Sequence, residues 1–444
     1  MTSLDAGLAQ WIVGIAHVLL AVVVSAHIVL TKDDVRAAIG WTGLVWLTPI
    51  LGSVLYGFFG INRIRRQAGR MRRGRELAGN FTAELAVAKR DEAAVLPPAF
   101  PATFHRLATL VGTATGGRLA EGNAVEPLVN GDEAYPAMIE AIDRASRSVA
   151  LATYIFDRGR AGDRFIDALA GAARRGVAVR VLIDSAGSRY SRPPATLALR
   201  ERGVPAALFL PQRFPLPNPY FNLRNHRKLL IVDGAVGFCG GMNIRDGCLL
   251  RSNPRQPTQD VHFQMKGPVV RDLMGVFAFD WAFTTHEQLT GPAWFPQLGI
   301  EGTVIARGIP DGPDEDFEML HITLIGAVSQ AERSIRLATP YFLPDPALID
   351  ALRTAALRGV MVEVVLPQRG NLRLVQWATT AQLAQVVKWG CRVHLSPPPF
   401  DHSKLMVVDG SWSLIGSANW DPRSLRLNFE YTVECYSAEL GARL

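Results

Sequence analysis

The chain has 444 residues, 48% hydrophobic and 20% charged, with a formal net charge of +7. That charged fraction is too high for a wholly membrane-embedded protein and too low for a disordered one, and the length leaves room for two or three domains. Four cysteines (Cys239, Cys248, Cys391, Cys435) show no C-x-x-C spacing, which excludes a sequence-readable zinc ribbon, gives no sign of a disulfide scaffold and favours free thiols.

The first elements are apolar. Trp11 to Leu30 is twenty residues without a formal charge, and Ala37 to Ile61 is twenty-five more. Each is long enough to cross a hydrocarbon core of ~30 Å as a helix. Residues 1–62 therefore predict a transmembrane helical hairpin, with helices at about 11–30 and 37–61 joined by TKDDVR. A cleaved signal peptide is disfavoured, because MTSLDAGLAQ has no Lys or Arg and a second apolar run follows at once. Seven arginines lie between Arg63 and Arg75, against Lys32 and Arg36 in the connecting turn. By the positive-inside rule this predicts a multi-pass protein whose remaining chain is cytoplasmic. Residues 63–105 read as a basic membrane-proximal linker.

Beyond it the pattern is α/β and duplicated. PAMIEAIDRASRSVALATYIF (136–156) and DRFIDALAGAARRGVAVRVLID (163–184) read as helix then strand, twice. They recur as LHITLIGAVSQAERSIRLATPYF (320–342) and PALIDALRTAALRGVMVEVVLP (346–367). The repeat predicts two similar domains, 106–296 and 297–444, each a mixed sheet with flanking helices, in pseudo-two-fold arrangement. Before the first motif, LFLPQRFPLPNPYFNLRN (208–225) reads as a packed loop or as a lip that touches lipid.

Each repeat carries the same constellation. His226, Lys228 and Asp233 precede Gly240-Gly241-Met242-Asn243; His402, Lys404 and Asp409 precede Gly416-Ser417-Ala418-Asn419. Only six of the 47 basic residues are lysines, so a lysine placed twice in one pattern is informative. His and Lys two apart on a strand share a face. The chemistry suits a phosphodiester. One neutral imidazole attacks phosphorus to form a phosphohistidine, and the other protonates the leaving alcohol. Two lysines neutralise the non-bridging oxygens, and Asn243, Ser417 and Asn419 add neutral donors. No metal or other cofactor is required. A carboxylate should orient each imidazole; Asp260, 34 residues after His226, and Glu430, 28 residues after His402, lie at matching positions. Asp233 and Asp409, at strand-ending turns, are expected to make structural hydrogen bonds more than to touch the imidazoles.

These paired motifs resemble the HKD motifs of the phospholipase D superfamily. NLRNHRKLLIVDGAVGFCGGMNIRD, HSKLMVVDGSWSLIGSANWDPRSLRLNFE and PILGSVLYGFFGINRIRR together resemble the bacterial cardiolipin synthase family over nearly the whole chain. That resemblance implies two phospholipase D-like domains and phosphatidyl transfer between two phosphatidylglycerol molecules, giving cardiolipin and glycerol. It further implies His226 as nucleophile, His402 as general acid and base, membrane lipids rather than nucleic acid as partners, and a bacterial inner (plasma) membrane location. The family usually continues for some tens of residues past the position of Leu444, which implies a further packed helix. A lipid hydrolase of the phospholipase D type is the alternative; an HKD nuclease is disfavoured by the hairpin and by arginines clustered beside it rather than around the site.

Overall fold

The computed structural model describes residues 3–32, 35–60, 95–211, 223–313 and 318–444. The arginine run at 63–75 and most of the 208–225 insertion lie outside the described residues.

The first apolar run forms one continuous helix, α1 (Ser3–Thr31). Within it Gly14–Thr31 is, among the described residues, the one helical stretch long and apolar enough to cross a bilayer. α1 thus has the length and composition of a membrane-spanning arm. The second run does not form the single helix expected at 37–61. It is split into α2 (Val35–Leu47) and α3 (Pro49–Leu55), and a π-helical turn, Tyr56–Gly60, follows. Pro49 is the cause. It lacks an N–H and disfavours helical geometry in the residue before it, and Thr48 sits at φ −141°, ψ 76°. The bend is so tight that a Cβ on Gly52 would lie 2.6 Å from the Leu44 carbonyl oxygen. The hairpin expectation therefore holds for its first arm only. Ala21, Ile28, Val45 and Tyr56 form the unit's small buried core.

The body opens with α4 (Ala102–Thr115) and continues through two equivalent halves. The first contains β1 (Ala120–Val129), α5 (Asn130–Arg144), β2 (Ser148–Thr153), α6 (Arg160–Arg174), β3 (Ala178–Asp184), α7 (Ala195–Glu201), β4 (Ala206–Phe209), β5 (Arg224–Asn225), β6 (Leu229–Val232), β7 (Val236–Gly240), β8 (Thr258–Gln259) and β9 (Val261–Lys266). After α8 (Val270–Thr285) the second half supplies β10 (Val304–Asp311), α9 (Met319–Gln330), β11 (Ser334–Ala338), α10 (Pro346–Leu357), β12 (Met361–Pro367), α11 (Arg373–Val387), β13 (Arg392–Ser396), β14 (Phe400–Asp401), β15 (Leu405–Val408), β16 (Trp412–Gly416), β17 (Asn428–Tyr436) and α12 (Ala438–Arg443).

The strand order is β4-β3-β2-β6-β7-β9-β1 in the first half and β13-β12-β11-β15-β16-β17-β10 in the second. The two orders are the same, and they join at an antiparallel β1–β10 seam (Ala120↔Ala306, Asn123↔Val304). An antiparallel pair has local two-fold symmetry, so the seam relates the halves by the expected pseudo-two-fold. Strands covered by helices on both faces need apolar side chains throughout, as SVALAT in β2 and LLIV in β6 show; both are buried at every position.

Packing does not follow the expected boundary at 106. On α4, Phe104, Leu107 and Val111 recur at helical spacing and join Leu320 and Leu324 of α9 in the second half's core. Arg307 fastens this arrangement. Its Nε donates to Glu434 Oε1 at 2.6 Å, and its terminal nitrogens donate to the carbonyls of Gly117 and Ala108, each at 3.0 Å. Arg307 is 2% exposed and Glu434 is fully buried. Arg307→Met is expected to destabilise the protein by about 3–5 kcal/mol, because it strands a buried carboxylate. Adding Glu434→Gln should recover part of the loss, because the amide is uncharged and its oxygen still accepts from Trp412 Nε1 and Tyr436 Oη. Urea unfolding of the two variants in detergent checks both expectations.

Candidate active site

Each loop that carries a histidine and a lysine is hung from the opposite half. Just before β6, the short strand β5 pairs in parallel with β17 (Arg224↔Asn428, Asn225↔Phe429), and the His226 N–H donates to the Phe429 carbonyl at 2.8 Å. The second half mirrors this. β14 pairs with β8 (Phe400↔Thr258, Asp401↔Gln259), and the His402 N–H donates to the Gln259 carbonyl at 2.8 Å. The next residue on each supporting strand is the carboxylate. His226 Nδ1 therefore lies 3.2 Å from Glu430 Oε1, and His402 Nδ1 lies 2.9 Å from Asp260 Oδ2. The pairing by position within each repeat is thus overturned: the carboxylates are exchanged between the halves.

The lysines complete the cluster. Lys228 Nζ donates to the His226 carbonyl. Lys404 Nζ donates to the His402 carbonyl at 2.6 Å and lies 3.1 Å from His402 Nδ1. Both lysines are buried, as are Glu430 and Asp260. The histidine side chains retain 18% and 15% exposure, so the imidazoles are the groups presented to the cleft. The cleft has a volume of about 1190 Å³ and is lined by both histidines together with Tyr154, Arg224, Arg245 and Arg423. It is larger than a typical small-molecule pocket.

Burial, reinforced by Lys228, lowers His226 to about 4 against the pull of Glu430. His402 is driven well below its ordinary value by burial and by both lysines. Both rings are therefore neutral at pH 7, the state a nucleophile requires. Burial brings Lys228 down to about 7, helped by the charge of Lys404, and brings Lys404 down to about 8 against the pull of Asp260 and Glu430. The two carboxylates differ. Burial raises Glu430, but the charges of His226 and Lys228 outweigh it and hold the group at about 2. Ser417 Oγ donates to it at 2.5 Å and Asn428 Nδ2 at 3.1 Å. Asp260 Oδ1 accepts from the Val261 N–H at 2.8 Å, yet burial lifts the group to about 7 despite Lys404.

The remaining expected site residues divide. Asp233 and Asp409 do not reach the imidazoles. Asp233 accepts from the N–H groups of Ser146, Arg147 and Ser148 at 2.7–3.0 Å. Asp409 does the same for Glu332, Arg333 and Ser334 at 2.7–2.9 Å. At the positive-φ start of each D-G turn, they clamp the loop entering β2 or β11. Ser417 is also not a phosphate donor, because its hydroxyl is given to Glu430 and accepts from the Tyr431 N–H. Its counterpart Gly241 leaves room instead; a Cβ there would lie 2.8 Å from Asp260 Oδ2. Asn243 and Asn419 both line the cleft, and Asn243 Oδ1 accepts from the Ile155 N–H at 3.0 Å.

Sequence reasoning missed the support beneath His226. Arg227 Nη1 donates to Asp280 Oδ1 at 2.6 Å, and Arg227 Nε donates to the Glu430 carbonyl at 3.0 Å. Asn225 Nδ2 also donates to Asp280, and the Asn225 N–H donates to Asp184. One signal was available: Asp280 is a lone carboxylate in the apolar run VFAFDWAF of α8, and a charge there needs a buried partner.

The family described as cardiolipin synthase, PLD-like domain, matches the chain twice, at residues 138–253 and 324–444. The chain is 32% identical over 438 residues to the major cardiolipin synthase of Bacillus subtilis, covering 97% of this chain and 89% of that protein. It is 33% identical over 419 residues to cardiolipin synthase A of Pseudomonas fluorescens, covering 93% and 85%. Its fold is similar to that of phosphatidylserine synthase from Haemophilus influenzae, with a TM-score of 0.58 at 15% identity over 75% of this chain and 87% of that one. A twofold match by one domain family and near full-length similarity to such relatives place the chain: it belongs to the cardiolipin synthase family with paired phospholipase D-like domains.

Proposed function

We propose that this chain is a phosphatidyltransferase that joins two phosphatidylglycerol molecules into cardiolipin, with release of glycerol. The observation that supports this most directly is the pair of neutral histidines, each backed by a buried carboxylate from the opposite half, opening on one cleft above two buried lysines. Glu430 stays ionised and holds the proton of His226 on Nδ1, which leaves the Nε2 lone pair for attack. His226 Nε2 forms a bond to phosphorus of the first lipid, and the bond from phosphorus to the headgroup glycerol oxygen breaks. His402, paired with the carboxyl that binds a proton near neutrality, protonates the departing oxygen. In the second half-reaction His402 takes the proton from a free headgroup hydroxyl of the second lipid. That oxygen attacks phosphorus, the P–N bond breaks, and His226 is regenerated. Lys228 and Lys404 supply positive charge for the non-bridging oxygens throughout. The arginines between Arg63 and Arg75, beside the apolar segment, favour a body on the cytoplasmic side of the bacterial plasma membrane.

The test is incubation of the purified protein with phosphatidylglycerol vesicles. Equimolar cardiolipin and glycerol are expected. Phosphatidic acid as the main product would make the chain a lipid hydrolase. Cleavage of DNA with no lipid turnover would make it a nuclease.

The same assay carries a pH expectation. The reaction needs a neutral His226, so kcat/KM should rise with pH through about 4. It needs cationic lysines, so kcat/KM should fall as Lys228 and Lys404 lose their protons at about 7 and 8. An acid limb at the ordinary histidine value would contradict the buried, neutral assignment.

A further inference from the structure

We propose that α11 and the adjoining edge of β13 form a membrane-docking face that seats the catalytic cleft on an anionic bilayer. The proposal rests on the lipid-substrate reading above. Repeat symmetry makes the feature visible. α7 and α11 occupy the same place in the two halves, between the second and third parallel strands. α7 buries Ala195, Thr196, Ala198 and Leu199 out of seven residues. α11 has fifteen residues and fully buries Val386 alone. Its outward face is apolar: Leu374, Trp377, Ala381 and Ala384 recur at helical spacing and are all exposed. Leu374 is 76% exposed and Trp377 is 67% exposed, with Leu395 of β13 nearby in sequence at 57%. A large exposed tryptophan and leucine on a helix without acidic residues are costly in water and suited to a lipid interface.

Charge identifies the occupant. From residue 364 to residue 400 there is no Asp or Glu, while Arg369, Arg373, Lys388 and Arg392 are all exposed. Apolar side chains on one helical face with basic residues at its ends match anionic headgroups over acyl chains. Continuity with the site supplies the second argument. Leu372 and Val375, at the start of α11, and Leu343 line the cleft that holds His226 and His402. A lipid whose phosphate reaches the histidines must send its acyl chains out of the cleft, and this apolar rim leads them to the exposed face of α11.

The experiment uses the full chain in vesicles of phosphatidylglycerol mixed with brominated phosphatidylcholine. The native cysteines are all buried, so Trp377→Cys accepts a bimane label selectively; Ile300→Cys, at a 79% exposed position, is the control. The label at 377 is expected to be quenched by brominated lipid and shielded from iodide, and the label at 300 is not. Equal access of iodide to both labels would overturn the proposal. So would shielding at 377 that grows with protein concentration without lipid quenching, which would make the face a contact between copies. In a second arm, Leu374→Glu combined with Trp377→Glu should lower turnover of vesicle lipid about tenfold by loss of local concentration. Turnover of monomeric short-chain phosphatidylglycerol should persist. Unchanged vesicle turnover would overturn the proposal. A wild-type chain that made no cardiolipin, but whose label at 377 entered lipid, would overturn the function and uphold the docking face.

Discussion

His226→Ala is expected to abolish cardiolipin formation, with a loss above the ~10²–10⁴-fold typical of removing an acid–base group, because the covalent intermediate then has no acceptor. His402→Ala should cost a comparable factor but leave the first bond-forming step open. Labelled phosphatidylglycerol added to His402→Ala should therefore leave phosphatidyl label on His226. Label on His402 in the wild type would reverse the roles. Both variants should remain folded, since neither side chain belongs to a hydrophobic core and both imidazoles face the cleft. Circular dichroism in detergent checks this. The two losses should not add, because the histidines act in one sequence of steps.

The exchanged carboxylates give the second large effect. Glu430→Gln is expected to reduce turnover by roughly 10³–10⁴-fold, as loss of an orienting carboxylate does in a serine-protease triad. A glutamine amide facing His226 Nδ1 favours the tautomer that puts the proton on Nε2 and removes the attacking lone pair. Labelling of His226 should be lost in Glu430→Gln and retained in Asp260→Asn, which weakens the His402 side. A pairing of Asp260 with His226 predicts the opposite pattern, so the two labelling experiments decide between them. Glu430→Gln keeps the side chain's size and leaves an oxygen for Ser417, while the amide nitrogen takes the place of the oxygen that accepts from Asn428. A fall in thermal stability alone cannot imitate loss of label in one variant and its retention in the other.

Much of this protein is determined by local pattern. The α/β body, its duplication and the two His–Lys pairs follow from strand-length apolar runs, repeated text and a lysine that the chain otherwise avoids. These are properties of residues close in sequence. The apolar N-terminus was legible for the same reason, up to Pro49, where one missing N–H divides the second arm. Other features depended on chain segments meeting far from their sequence neighbours. His226 is 204 positions from Glu430, and only the pairing of β5 with β17 brings them together. The attachment of α4 to the second half depends on which apolar stripe it meets, and the stripe alone does not name its partner. Ser417 reads as a donor for phosphate until the fold places Glu430 2.5 Å from its hydroxyl. The ionisation states were beyond the sequence as well: a histidine near 4 and a lysine near 7 exist because closure of the two halves strips water from one small cluster of opposed charges. The sequence by itself therefore determined which side chains are the candidates for the chemistry. The tertiary structure decided which carboxylate serves which histidine, because a pseudo-two-fold joined by crossed strands gives each half the other's support.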